Sequence, residues 1–280
     1  MILSFKKAEY GIQECRLNTN NLFNSTQQKH RFNERWPKFF QSDETHKNIF
    51  HRDNSGHINY LSESFIPDQI DIRPPVLMVF GNPASHSIQH QMCFAYEKNY
   101  IEHRFWIALN KTGLLRFHSD ETENIQSWET RNQNRKRELF SLEYDSPFRL
   151  GISMFYSMPS PGSKQPWTGV SGLEKLFGKK AMNRISEEEN QRILGVIESF
   201  IMEGIGAILT FQKNAYEEMR SISSPEYKIT SAKDGKLIGK YKFNEKLYLI
   251  GLPPTRSFHT KETQKTLIST KTFLQRLFLD

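Results

Sequence analysis

The sequence predicts an α/β fold, a layered domain built around a mainly parallel sheet. Four stretches carry that expectation: VLMVF from 76, GISMFYS from 151, IGAILTF from 205 and KLYLIGL from 246. Each is a continuous apolar run of strand length, the pattern of strands covered on both faces. Helix-like sequence separates them, most clearly ISEEENQRILGVIESFIMEG, where Ile193, Ile197, Phe200 and Ile201 recur at helical spacing. Strands alternating with helices imply a parallel sheet with helices on its faces. With 37% hydrophobic and 12% aromatic residues in 280, the chain can bury a core.

Taken in order, residues 1–70 are rich in Asn, Gln, Ser, Lys and His, with aromatics interspersed as in RFNERWPKFF. They are expected to form an N-terminal extension, helical or partly disordered, ahead of an α/β domain over 71–280. Residues 116–147 read as a polar insertion in which Arg131, Arg135, Lys136 and Arg137 lie close together. Those cations fit either a solvated helix face or a set of phosphate contacts. Further on, Ser186 and Glu189 have the spacing of a capping box at a helix start. The segment YKITSAKDGKLIGKYKF reads as a hairpin around Asp234-Gly235, and TQKTLISTKTFLQRLF as a closing amphipathic helix.

Charge and cysteine content narrow the function classes. Lys plus Arg number 38 against 31 Asp plus Glu, a net charge of +7 that favours an anionic partner such as nucleic acid. Cys15 and Cys93 are the only cysteines, too few for a disulfide framework, a CxxC zinc site or a four-cysteine iron–sulfur cluster. A cytoplasmic setting is expected, with no signal peptide and no apolar run near the roughly 18 residues a membrane span needs.

In parallel sheets, ligands bind outside the carboxyl ends of the strands. That rule places GNPASHS, SMPSPGS, QKNA and PPTRS on one rim. Prolines stiffen such loops, although they also simply end strands. Asn82 is then either a turn residue or a group whose amide oxygen orients a water. Ser85 or Ser87 with His86 could serve a hydrolase, but no G-x-S-x-G elbow accompanies them.

Together the rim motifs resemble the uracil-DNA glycosylase superfamily, most closely its single-strand-selective monofunctional branch. FGNPA is similar to the family's G-x-N-P-G, with Asn82 and Pro83 in the motif's places and Gly81 one position later than the motif's glycine. QMCFA resembles GLAFS, and EHRFW is similar to SGxRFW. MFYSMP resembles FVHNLCP, and LPPTRS looks like H-P-S-P-R-N. The match covers roughly residues 76–280.

The resemblance implies a three-layer α/β/α sandwich with a central four-stranded, mainly parallel sheet, acting as a monomer on single- or double-stranded DNA without metal or organic cofactor. It implies that Asn82 orients the attacking water and that Phe94 stacks on the extruded base. Tyr156 and Leu252 would line the base, while Lys164, Arg256 and Ser257 would contact DNA, Arg256 filling the gap in the stack. Two positions depart from the family: its base-reading asparagine falls on Tyr156 and its catalytic histidine on Leu252. A leucine donates no hydrogen bond to a departing base, so His86, His90 or His259 would have to substitute. A nucleic-acid-binding protein that keeps the fold but has lost base excision is the alternative.

Overall fold

The computed structural model describes residues 1–97, 100–122, 127–202 and 205–279. Strands β1 (Leu3–Phe5) and β2 (Gly11–Asn18) open the chain, followed by helices α1 (Thr19–Leu22), α2 (Thr26–Phe40) and α3 (His46–Ile49). Strands β3 (Phe50–Arg52), β4 (His57–Phe65) and β5 (Pro75–Phe80) come next, then α4 (Ser85–Gln89) and α5 (Arg104–Thr112). A polar stretch holds β6 (Arg116–Phe117), α6 (Ser119–Thr122), α7 (Trp128–Ser141) and β7 (Tyr144–Asp145), and leads to β8 (Arg149–Met154). After these lie α8 (Gly169–Phe177), α9 (Lys179–Ile201), β9 (Ala207–Thr210), α10 (Lys213–Met219) and α11 (Ile229–Lys233). The chain closes with β10 (Ile238–Tyr241), β11 (Asn244–Gly251) and α12 (Lys261–Leu279).

The chain divides into two compact units, each assembled from three stretches. The first comprises residues 1–64, 81–93 and 154–193, and the second residues 65–80, 94–153 and 194–280. The fold is α/β, and its nine main strands are of mixed sense.

In the first unit, β1, β2 and β4 pair antiparallel and β3 adds to β4. This departs from the expected helical or partly disordered extension. In β2, Gln13, Cys15 and Leu17 are buried while Glu14 and Arg16 are exposed. That period-two alternation buries one face only, which leaves the sequence too polar on average to read as strand. Helix α2 is capped by Ser25, whose side chain accepts from Gln28 N, and buries Phe32, Trp36 and Phe39 along one face. Phe32 stacks on Phe177 at 5.4 Å, and Phe39 meets Trp167 edge-on at 6.1 Å.

In the second unit the strands run β8-β5-β9-β11-β10. Strand β9 is parallel to both β5 and β11, and β10 is antiparallel to β11. All four predicted strands are present and adjacent, and β5 and β9 are buried from Val76 to Phe80 and from Ala207 to Thr210. Helix α12 matches the predicted closing helix. The hairpin lies elsewhere than expected: β10 and β11 turn between Tyr241 and Asn244, whereas Asp234-Gly235 ends α11, Gly235 at φ +69°.

The polar insertion is also more ordered than a solvated face. Part of it, residues 123–126, lies outside the described residues. Arg135 in α7 is fully buried, Lys136 is buried beside it, and Asp120 and Glu102 both pair with Arg135, Asp120 at 2.7 Å. Its guanidinium lies 5.6 Å from the Trp106 ring and 5.7 Å from that of Phe117. A buried arginine needs such partners, which makes α7 an anchored element.

Candidate functional site

The loop that follows β5 is held by backbone and side-chain bonds inside the first unit. Gly81 is buried and its carbonyl accepts from Tyr156 N at 2.7 Å. Pro83, also buried, accepts from Ser160 N at 3.1 Å, and Ser85 N donates to Ser160 O at 3.0 Å. Ala84 and Ser160 form a parallel bridge, so the two loops continue each other's pairing. Asn82 is half-buried between them. Its Nδ2 donates to Ser160 Oγ at 2.9 Å, Pro83 O at 3.2 Å and Met158 O at 3.3 Å. Two of these partners are carbonyls, which only accept, so the amide nitrogen must face them and Oδ1 lies on the opposite side of the amide.

Tyr156 is 5% exposed, with its hydroxyl 3.4 Å from Ser186 Oγ and its ring edge-on to Phe155. Ser186 therefore does not cap a helix. Helix α9 begins at Lys179, and the expected capping pair lies within it. Glu189 instead accepts from Ser157 N at 2.6 Å and Ser157 Oγ at 2.5 Å, and pairs with Arg192 at 2.6 Å. Tyr60 donates to or accepts from Ser157 Oγ at 2.7 Å. Burial pushes the Tyr60 phenol and the neighbouring Cys15 thiol well above their ordinary ranges, so both stay neutral. Lys164 is exposed on the loop beyond.

The partner of Ser85 is one that sequence reasoning missed. His46 Nε2 lies 2.8 Å from Ser85 Oγ, and His46 Nδ1 lies 3.2 Å from Phe40 O. Because a carbonyl only accepts, Nδ1 carries the proton and Nε2 takes the Ser85 hydroxyl hydrogen. Burial lowers the His46 pKa, favouring this neutral form. Both residues are fully buried, so the pair ties α3 to the start of α4 rather than meeting substrate. Nothing in the sequence near residue 85 signals a partner 39 positions away.

The remaining sequence-predicted residues belong to the second unit. Phe94 is half-buried at φ +53°, its ring 4.9 Å from Phe80, 4.8 Å from His103 and 4.5 Å from Phe105. Trp106, of the RFW motif, holds the Phe94 carbonyl through Nε1 at 3.0 Å. Leu252 is fully buried, its N–H bonded to Thr210 O at 2.8 Å and its carbonyl accepting from Tyr227 at 3.0 Å. Burial pushes Tyr227 up to about 12, against the pull of Arg256.

Arg256 is exposed on a short 3₁₀ turn, Thr255–Ser257, and Ser257 Oγ closes that turn on Pro254 O at 2.7 Å. Arg104 clamps the same turn by donating to Arg256 O at 3.0 Å and His259 Nδ1 at 3.3 Å. Glu97 in turn grips Arg104 at 2.5 and 2.7 Å, and that pairing holds the Glu97 carboxyl down to about 2.

Among the described residues, no group of three or more His, Cys, Asp and Glu side chains is placed to hold a metal ion, and no helix is long and apolar enough to cross a membrane. Compared with protein-family models and with curated proteins, the sequence matches neither.

Proposed function

We propose that the protein is a DNA glycosylase that removes uracil or another altered base from DNA, with Asn82 orienting the attacking water. One observation carries this reading: the Asn82 amide is fixed by three acceptors that share the two hydrogens of Nδ2, which commits its oxygen to whatever lies on the other side. The strand order lends support. Strands β5, β9 and β11 are neighbours and parallel, and ligands bind outside the carboxyl ends of such strands. Asn82 follows the carboxyl end of β5 in the chain. On this reading β8, β5, β9 and β11 are the core of the three-layer sandwich that the resemblance implies.

The chemistry suits an amide. As the glycosidic bond lengthens, positive charge grows on the sugar and the base departs with the bonding pair, later taking up a proton from solvent. The water oxygen bonds to the sugar carbon and releases its proton to bulk water. A cation that has nearly formed needs a positioned water more than a strong base, and a carbonyl-type oxygen can position one. Phe94 and Arg256 keep the stacking and wedging roles that the resemblance implies, each open to test by its own substitution.

The test is an abasic-site assay on labelled single- and double-stranded oligonucleotides carrying uracil, hypoxanthine, xanthine or a mismatched thymine. Alkali-cleavable product from the wild type, lost in Asn82→Ala, is the expected result. No product from any lesion would overturn the reading.

A second reading, a nucleic-acid-binding protein without base excision, is favoured by the burial of Tyr156 and Leu252. Leu252 is fully buried and apolar, and the Tyr156 hydroxyl lies beside Ser186. Losing one donor to a departing base typically costs about 3 to 4 kcal/mol of transition-state stabilisation. On this reading DNA binds in a salt-dependent way and Asn82→Ala binds it equally well.

A further inference from the structure

We propose that Ser160 is the positioning residue that anchors the Asn82 amide nitrogen, an inference whose kinetic part rests on the glycosylase reading above. Ser160 is 2% exposed and takes part in four bonds with two jobs. Its backbone ties the loops together, N to Pro83 O at 3.1 Å and O to Ser85 N at 3.0 Å. Its hydroxyl oxygen accepts from Asn82 Nδ2 at 2.9 Å and from Gly169 N at 2.8 Å.

Those two N–H groups fill both acceptor sites of a hydroxyl oxygen. The terminal torsion of an asparagine is broad and nearly two-fold, so the carbonyls of Pro83 and Met158 select the nitrogen end and the Ser160 hydroxyl holds it in place. The Ser160 bond is the shortest of the three at Nδ2, the carbonyl partners lying at 3.2 and 3.3 Å. It also connects Asn82 to Gly169, the first residue of α8. The hydroxyl thus holds the amide in register with a helix, while the backbone bonds hold the loop.

Because the two jobs sit on different atoms, a side-chain substitution separates them. Ser160→Ala removes the acceptor and leaves the backbone bonds to Pro83 and Ser85. Ser160→Cys nearly preserves the volume but offers sulfur, a weak acceptor, and guards against a packing defect in the alanine variant. Ser160→Thr keeps the hydroxyl oxygen.

The experiment pairs single-turnover excision with ¹⁵N NMR of side-chain amides, the Asn82 signals being identified by their loss in Asn82→Ala. Expected is a fall in rate of about ten- to a hundredfold in the alanine and cysteine variants with KM little changed, and recovery in Ser160→Thr. The Asn82 amide protons should exchange slowly in wild type and Ser160→Thr and rapidly in the other two. An active wild type, an inactive Asn82→Ala and unimpaired alanine and cysteine variants would overturn this inference while leaving the glycosylase reading intact. So would unchanged Asn82 exchange in those two variants. An inactive wild type would overturn the reading and, with it, the kinetic role given to Ser160.

Discussion

Glu63 is the residue most at odds with its surroundings. It lies in β4, is 1% exposed, and among the described residues neither carboxyl oxygen has a hydrogen-bond partner. Burial alone pushes its pKa up to about 8. The folded protein therefore keeps a proton that the unfolded chain releases near its ordinary value of 4.5. The sign follows: the stability from this group is complete below that value, declines as pH rises, and is gone once pH passes about 8. Over the whole window the change amounts to at most about 5 kcal/mol. Glu63→Gln should match the wild type in urea denaturation at low pH and be more stable at pH values above the folded pKa. Glu97 behaves oppositely. Held down to about 2 by Arg104, it contributes stability that is present above its ordinary pKa and is lost as pH falls toward 2. At this scale the position of Asn82 at a strand end was legible from five apolar residues followed by Gly-Asn-Pro. Its partner was not, because Ser160 is 78 positions away and a serine in a loop carries no periodic signal.

At the scale of elements, what the sequence reveals depends on how each element is buried. Strands β5, β8, β9 and β11 were legible because continuous apolar runs need no knowledge of partners. The strands of the first unit were not, because β2 buries one face and exposes Glu14 and Arg16 on the other, while β4 buries the polar run Ser62, Glu63 and Ser64. Helix α7 was misread because four cations resemble a solvated surface until Asp120 and Glu102 are brought to Arg135. Arg135→Ala should cost about 3 to 5 kcal/mol in chemical denaturation, since it takes the buried cation from Glu102 and leaves Asp120 only Arg131, 3.5 Å away. Helix α8 makes a second expectation. A Cβ added to Gly172 would stand 2.0 Å from the Trp167 carbonyl oxygen, so there the backbones touch directly. Gly172→Ala should therefore lower stability by about 1 to 3 kcal/mol despite alanine's better helix propensity, and Tm measurement checks it.

At the scale of the whole molecule, the charge of +7 was legible at once and makes a claim about binding rather than fold. If DNA is the partner, an interface using about four phosphates should lose about a hundredfold in affinity between roughly 50 and 200 mM salt, as fluorescence anisotropy would show. The division into units was not legible, since a composition change near residue 70 suggested one boundary where the chain in fact passes between units repeatedly. That interleaving has a consequence during protein synthesis. Residues 154–193 complete the first unit, and Arg35 of α2 reaches a carbonyl at Lys175, 140 positions later. A ribosome must therefore deliver β5 and β8 of the second unit before Phe177 and Trp167 can reach Phe32 and Phe39. Until then the aromatic face of the emerging N-terminal stretch is covered only by its own Phe23, His46 and Phe50, and such a part-exposed surface is the kind that chaperones hold and that aggregates when translation stalls.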